Sequence, residues 1–204
     1  MLHALDIFGT IVFALTGVLA AGRNNLDLFG ALVLAAVTAI GGGTLRDLIL
    51  DVPVFWLVDP SYLYLILGTW TVALIAARFT QHIPAGAIQW SDALGLSAFT
   101  VMGTAKALQT VDSPIVAILL GTLTSVAGGL IRDLLASRTP MVLNRQRLYA
   151  SACIVGCTVY ILVLPWNPAW ATIAAMLATF TLRAGALLWD WKLPIFPARG
   201  SDED

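Results

Sequence analysis

Two Arg-Asp pairs interrupt long apolar stretches of this chain, Arg46-Asp47 and Arg132-Asp133. An ionised side chain at the centre of a bilayer costs ~2.5–3.5 kcal/mol even on the most lenient insertion scale. Such groups are therefore expected to face one another or a polar cavity. We interpret the two pairs as walls of a polar conduit. The alternative is a charge-pair latch that holds the two halves of the chain together.

The partners of these charges can be predicted from the positions of the other acidic residues. Adjacent residues on a helix point in different directions, so Arg46 and Asp47 are expected to bind separate partners. Asp6 and Asp92 lie at the starts of two other apolar stretches. We expect these two carboxylates to pair with Arg132 or Arg46.

Glycines precede both charged pairs, at Gly41, Gly42 and Gly43 in one stretch and at Gly128 and Gly129 in the other. Each glycine weakens a helix by ~1 kcal/mol relative to alanine. A run of them can kink or break a helix and free backbone carbonyls, which are ligands for a monovalent cation. The alternative is close helix packing through small residues. Under the first interpretation, a cation contacts the backbone at Gly41, Gly42, Gly128 and Gly129.

Other polar residues within apolar stretches are candidates for the same conduit. Lys106 lies late in its stretch, where it either enters the conduit or extends to the membrane surface. Hydroxyl groups could line the route, although each could instead bond to its own helix backbone. The hydroxyl candidates are Thr16, Ser97, Thr104 and Ser125.

The overall composition identifies the solvent of this protein as lipid. Of its 204 residues, 59% are hydrophobic and 11% are charged, and the mean hydropathy is +0.87. A soluble domain averages ~25% charged residues. The net charge of −1 argues against nucleic-acid binding, which requires a basic face. Nucleotide-loop, metalloprotease and serine-hydrolase motifs are absent from the sequence, so we predict neither an enzyme nor a bound cofactor.

Seven apolar stretches are long enough to cross a bilayer as helices, which takes ~20 residues each. The chain is thus predicted to be an all-α integral membrane protein with seven transmembrane helices. A positive amino-terminal region typical of a signal peptide is missing, so the first stretch is interpreted as mature structure. The predicted spans are 4–22, 27–50, 61–79, 89–109, 114–136, 147–164 and 168–189.

An internal repeat relates the two halves of the chain at an offset of 86 residues. Asp6, Gly9, Phe13 and Gly17 each recur 86 positions later. The glycine pair and the Arg-Asp pair of the first half recur at the same offset. Each unit holds three spans, so the second copy enters the membrane from the opposite face. This is an inverted repeat, an arrangement typical of transport proteins. The predicted units are 1–80, 87–164, a seventh helix over 168–190 and a cytoplasmic tail over 191–204.

The distribution of basic residues predicts the orientation in the membrane. Nine of the eleven Lys and Arg residues fall on one side of the predicted spans. Because cytoplasmic loops carry the excess of basic residues, that side is cytoplasmic. We therefore predict a bacterial inner-membrane protein with its amino terminus outside and its carboxyl terminus in the cytoplasm.

The doubled motif in a seven-span chain resembles the prokaryotic branch of the trimeric intracellular cation (TRIC) channels. The similarity extends over residues 1 to about 190. It implies a homotrimer in which each protomer encloses its own pore for K⁺ and, less selectively, Na⁺. It also implies that the second and fifth spans line that pore. Bacterial sequences of this type are also classed as glycine transporters, so the alternative is a secondary carrier of a small zwitterion such as glycine.

Overall fold

The computed structural model describes residues 2–79, 84, 86–143 and 148–191. Within these residues the chain forms eight helices and one 3-10 turn at Met141–Leu143, with no strand. Seven helices are long, and α3 is a single turn. The helices are α1 Leu2–Arg23, α2 Leu28–Ile49, α3 Phe55–Val58, α4 Ser61–Ala77, α5 Ala87–Ala107, α6 Pro114–Leu135, α7 Ala150–Val163 and α8 Pro168–Leu188.

The long helices occupy the positions of the predicted spans, and four satisfy the length and hydropathy of a transmembrane helix: α1, α2, α6 and α8. Helices α4 and α7 are equally apolar but shorter, with 17 and 14 residues. The irregular segment before the third predicted span contains α3. The sequence therefore located every long helix among the described residues, with small differences at the ends.

Local signals in the sequence explain where these helices begin. Asp27 accepts a hydrogen bond from the Gly30 backbone N–H, 2.6 Å away, and so caps the start of α2. Asn167 caps α8 in the same way through the backbone N–H groups of Ala169 and Trp170. Proline occupies the first position of α6 and of α8, where its missing N–H costs no helical hydrogen bond.

Helices α2 and α6 cross through a reciprocal pair of close contacts. A Cβ atom at Gly42 would overlap the Thr124 carbonyl oxygen, and one at Gly128 would overlap the Thr38 carbonyl oxygen. In each contact a glycine of one helix meets a backbone carbonyl of the other. The offset of 86 residues relates the two glycines to each other and the two threonines to each other, so the contacts are equivalent in the repeat. The packing alternative for these glycines is thus realised at Gly42 and Gly128.

The contact between α1 and α5 follows the same pattern. A Cβ at Gly9 would press on the ring of Phe99, and one at Gly95 would overlap the ring of Phe13. The two rings meet edge to face, with centroids 5.0 Å apart. Around this contact lies the main apolar core, to which Leu96 and Val126 also contribute.

The outer surface of the bundle is strongly apolar. Phe29 is 72% exposed and Phe79 is 83% exposed, values that would be unfavourable in water but suit contact with lipid chains. Further exposed apolar side chains include Leu28, Leu57, Tyr64, Val72, Ile115, Leu119, Leu162 and Leu177. The polar and charged side chains described below point inward.

Substitution of Gly42 by alanine is expected to destabilise the fold. Overpacking of this kind costs ~1–3 kcal/mol because rigid backbone atoms must move apart. The matched control is Gly68→Ala, since nothing lies within 4 Å of a Cβ at that glycine. Thermal unfolding of the detergent-solubilised protein, followed by size-exclusion chromatography, measures both variants. Equal midpoints for the two variants would contradict the close crossing.

Candidate functional site

One group of charges lies where the carboxyl-terminal ends of α2 and α5 meet; we call Arg46, Asp47, Phe55 and Lys106 the Asp47 cluster. Asp47 is fully buried and accepts hydrogen bonds from Arg46 Nε at 2.8 Å and from Lys106 Nζ at 2.9 Å. The Lys106 side chain is 31% exposed. The partly exposed Lys106 ammonium group thus lies between the buried Asp47 carboxylate and solvent.

The segment that follows α2 completes the Asp47 cluster. The Phe55 backbone N–H, at the start of α3, donates to Asp47 Oδ2 over 3.0 Å. The Phe55 ring lies 5.8 Å from Lys106 Nζ and 6.0 Å from the Arg46 guanidinium carbon, at cation–π distances. Nearby, Tyr62 donates a hydrogen bond of 2.5 Å to Asp6 Oδ2.

The second group of charges lies towards the other end of the bundle; we call Asp92, Arg132, Asp133, Tyr149 and Arg183 the Asp92–Asp133 cluster. Arg132 is fully buried and donates to Asp92 at 3.0 Å and to Asp133 at 2.9 Å. Tyr149 also donates to Asp92, at 3.1 Å. Arg183 approaches the remaining Asp92 oxygen to 3.7 Å and lies over the Tyr149 ring.

The two clusters repeat one local geometry. The Nε of each arginine donates to the carboxylate of the next residue, at Arg46-Asp47 and at Arg132-Asp133. The second oxygen of each carboxylate accepts the backbone N–H of the residue eight positions later. Positive φ angles of 53° at Asp51 and Ser137 turn the chain back after each helix. The internal repeat of the sequence is therefore also a repeat of structure.

Two expectations about charge partners need correction. Arg46 and Asp47 bind each other, as do Arg132 and Asp133, because a long guanidinium side chain can bend back to the carboxylate of its neighbour. Asp6 bonds to Tyr62 rather than to an arginine among the described residues. The expectation that Asp92 pairs with Arg132 is confirmed.

The expectation that the glycines break their helices is wrong in this structure. Helix α2 continues without interruption through Gly41–Gly43, and α6 does so through Gly128 and Gly129. The carbonyl groups therefore stay within their helices. Beyond the crossing contacts of Gly42 and Gly128, a Cβ at Gly129 would meet the Tyr149 hydroxyl, at Gly43 the Phe55 ring, and at Gly41 the Ile131 side chain. Small size at these positions leaves room for the helix crossing and for both clusters.

The four candidate hydroxyl groups have different surroundings. Thr16 accepts a hydrogen bond from Arg132 Nη1 at 3.1 Å and thereby joins the Asp92–Asp133 cluster. Ser97 donates to Leu94, Thr104 to Thr100 and Ser125 to Gly121, in each case to a carbonyl of the same helix turn. All four are buried inside the bundle. Thr16 thus bonds to a charged side chain, whereas the other three bond to their own helix backbone.

Sequence reasoning missed several residues that complete the clusters. Arg183 was counted for orientation only, although an arginine within a predicted span requires a polar partner in the same way as Arg132. Tyr62, Tyr149 and Phe55 carried no comparable signal, because aromatic residues are common in apolar stretches. Their roles depend on loop and helix placement that only the fold reveals.

Comparison with known proteins places this geometry in a family. A family model described as "Glycine transporter" matches residues 3–78 and 89–165, once in each half of the chain. A membrane protein of Vibrio cholerae, UPF0126, is 42% identical over 199 residues, which cover 96% of this chain and 83% of that protein. The inner membrane protein YadS of Escherichia coli K12 is 41% identical over 202 residues and 96% of each chain.

Solved structures agree with this assignment. The TRIC trimeric intracellular cation channel orthologue from Rhodobacter sphaeroides superposes with a TM-score of 0.86 at 38% identity, over 92% of this chain and 97% of that one. A prokaryotic TRIC channel crystallised in 0.5 M KCl gives a TM-score of 0.87 at 31% identity, over 94% and 98%. The chain therefore belongs to the family described as Glycine transporter, and its sequence and fold make it an inner-membrane protein of the TRIC channel family.

Proposed function

We propose that this protein, which is not an enzyme, conducts monovalent cations, K⁺ foremost and Na⁺ less selectively, through a pore inside each protomer of a homotrimer. The observation that carries the proposal is the pair of buried carboxylates, Asp47 and Asp133, each near the carboxyl-terminal end of one of two crossing helices. The similarity to TRIC channel structures supports the same conclusion. No resident cofactor is proposed, and the cation is the permeant species.

The charged residues at the two ends of the proposed path have different roles. Asp47 and Asp133, together with Asp6 and Asp92, make the interior favourable for cations. Arg46 and Arg132 hold the carboxylates in place through the bonds described above. These bonds also limit the local field, so that a cation can enter and leave without being trapped, as conduction requires.

The α2–α6 crossing is the narrow part of the proposed path. The backbone oxygens of Thr38 and Thr124 lie against Gly42 and Gly128 there. Because neither glycine has a side chain to interlock with its neighbour, the two helices can move apart with little rearrangement. In the open state we propose that α2 and α6, unbroken in this structure, bend at Gly41, Gly42, Gly128 and Gly129, so that carbonyl oxygens released there replace part of the hydration shell of the cation.

Lys106 acts as a plug in this proposal. Its ammonium group occupies the position beside Asp47 that a permeating cation would take. Because the side chain is 31% exposed, it can leave that position towards solvent. Removal of its charge therefore opens this end of the path.

We also propose seven membrane spans, with an inverted three-helix repeat followed by α8. The reciprocal contacts Gly42–Thr124 and Gly128–Thr38 support the inversion. From residue 38 to 42 on α2, the contacted residue on α6 falls from 128 to 124. That pattern requires α2 and α6 to cross in opposite directions. The repeat of the carboxylate geometry at the two helix ends supports it independently.

Trimer formation and orientation are part of the same proposal. The exposed apolar faces can be covered by lipid or by a second and third copy of the chain. Arg23, Arg132, Arg138 and Arg183 lie towards the end of the bundle that holds Asp133, which supports a cytoplasmic location for that end. The amino terminus is then outside and the carboxyl terminus inside.

Planar-bilayer recording on the purified protein tests the proposed function. In a KCl gradient we expect discrete current steps that reverse near the K⁺ equilibrium potential. A bilayer that stays silent, together with saturable uptake of labelled glycine into proteoliposomes, would replace the channel by the zwitterion carrier that the description of the family model favours.

Lys106→Met should increase the open probability in the same recordings. Methionine keeps the length and the apolar stem of lysine but removes the ammonium group from Asp47. Because the Lys106 side chain is 31% exposed and solvent screens its charge, we assign about 1 kcal/mol to this ion pair, which corresponds to a roughly five-fold change in the open-to-closed ratio. Lys106→Arg is the matched control that retains the charge. If both variants gate like the parent protein, Lys106 is not the plug.

Cysteine labelling in intact cells tests the orientation. Thr110→Cys and Ser137→Cys place one thiol just before and one just after α6, at exposed positions. The native Cys153 and Cys157 are buried and should not react in the folded protein. We expect a membrane-impermeant maleimide to label position 110 only. Labelling of position 137 only would reverse the orientation.

A further inference from the structure

Helix α8 lies outside the internal repeat and packs in a groove between α5 and α7. Val101 of α5 and Tyr160 of α7 form a buried apolar cluster with Ala175 of α8. A Cβ atom at Gly156 of α7 would overlap the Thr179 side-chain oxygen of α8. Val101, Gly156 and Tyr160, which we call the α8 seat, thus contact a helix that is long and apolar enough to cross the membrane.

Two tyrosines align α4 with α7. Tyr62 donates to Asp6 as Tyr149 donates to Asp92, and the two aspartates are related by the offset of 86 residues. Tyr149 follows Tyr62 by 87 residues, so the segment before α7 contains one residue more than the segment before α4. Positions of α4 and α7 that differ by 87 are therefore structurally equivalent.

This alignment locates the counterpart of the α8 seat in the first half of the chain. Leu15, Thr69 and Ala73 correspond, in that order, to the three residues of the α8 seat. All three line an open groove of about 480 Å³, whose walls come from α1 and α4 alone within the part of the chain that the structure describes. Tyr64 and Val72, which also line this α1–α4 groove, are 73% and 67% exposed.

We propose that the α1–α4 groove binds a membrane-spanning helix of a second copy of the chain. Its counterpart accommodates a helix, which is ~10–12 Å wide with its side chains, and a single lipid acyl chain is too narrow to fill such a space. Small side chains at Ala73 and Ala76 allow the close backbone approach that favours helix association in lipid. The inference rests on the homotrimer of the proposed function and is independent of ion conduction.

A closed ring of identical copies fills this groove without a further protein. In a cyclic trimer each contact is heterologous, so the groove of one copy faces a different surface of the next copy, and closure fills all three grooves. The walls of the groove hold no charged side chain among the described residues. They therefore suit an apolar helix from the outer surface of a neighbouring copy, such as the surfaces that expose Ile115 and Leu119.

Filling the groove with a larger side chain tests this interface. Val72→Trp should weaken trimer association roughly 5- to 150-fold, which corresponds to the ~1–3 kcal/mol cost of overpacking, because the indole ring occupies the space of the neighbouring helix. The matched control is Leu177→Trp, at a 57% exposed position of α8 outside the groove. Native mass spectrometry and light scattering over a dilution series in detergent measure the trimer fraction. Thermal unfolding verifies that both variants fold.

The outcomes separate this inference from the rest of the proposed function. A trimer in the parent protein and in Leu177→Trp, with dissociation of Val72→Trp, supports the inference. A trimer that persists in Val72→Trp, or that dissociates only in Leu177→Trp, overturns the inference and leaves the homotrimer standing. A monomeric parent protein overturns both, whatever current the bilayer recordings show.

Photo-crosslinking in native membranes identifies the occupant of the groove. With p-benzoylphenylalanine in place of Tyr64, an aromatic side chain at the groove is kept, and irradiation should give an adduct with twice the mass of the chain. The control carries the same amino acid in place of Trp170, a 65% exposed residue in the first turn of α8, and should give lipid adducts. Lipid adducts alone at position 64, or an adduct with a different protein, would overturn the second copy as the occupant.

Discussion

The architecture depends on the need to pair every charge that lies inside an apolar bundle. Removing one partner of a buried ion pair typically costs ~3–5 kcal/mol, so the pairs at Asp47 and Asp133 tolerate little freedom in the elements around them. The segments after α2 and α6 turn back so that a backbone N–H reaches each carboxylate. Helix α8 is held to the bundle partly through Arg183, which approaches Asp92.

Close packing at the centre complements this pairing at the ends. Glycines at the α2–α6 and α1–α5 contacts let backbones and aromatic rings approach to distances that any Cβ would prevent. In a membrane such contacts replace the hydrophobic effect as the force that holds helices together. In the proposed channel they also define a closed state that opens when the crossing helices separate, because no side chains interlock at Gly42 and Gly128.

The two ends of the bundle share one carboxylate geometry but differ in the side chains around it. Lys106 brings its own ammonium to Asp47, whereas the equivalent Ala20 leaves a cavity beside Asp133. Arg138 stands where the first half has Val52, so the same cavity also presents a guanidinium. Lys106 thus covers the carboxylate at one end, while the other end keeps a cavity beside its carboxylate.

Hydropathy and a repeat of fixed offset allowed the sequence by itself to determine the long helices, the duplicated motif and the Arg-Asp pairs, Asp92 and Lys106 of the two charge clusters. These features follow from local composition and period, which need no knowledge of the fold. The tertiary structure alone decided that neighbouring Arg and Asp residues bind each other and that α2 and α6 stay unbroken at their glycines. It also decided that Phe55, Tyr149 and Arg183 complete the clusters. Glycine weakens an isolated helix, but packing of a neighbouring helix against it can keep that helix intact. Which of these effects prevails depends on contacts between residues such as Gly42 and Thr124, far apart in the chain, and sequence period does not specify them.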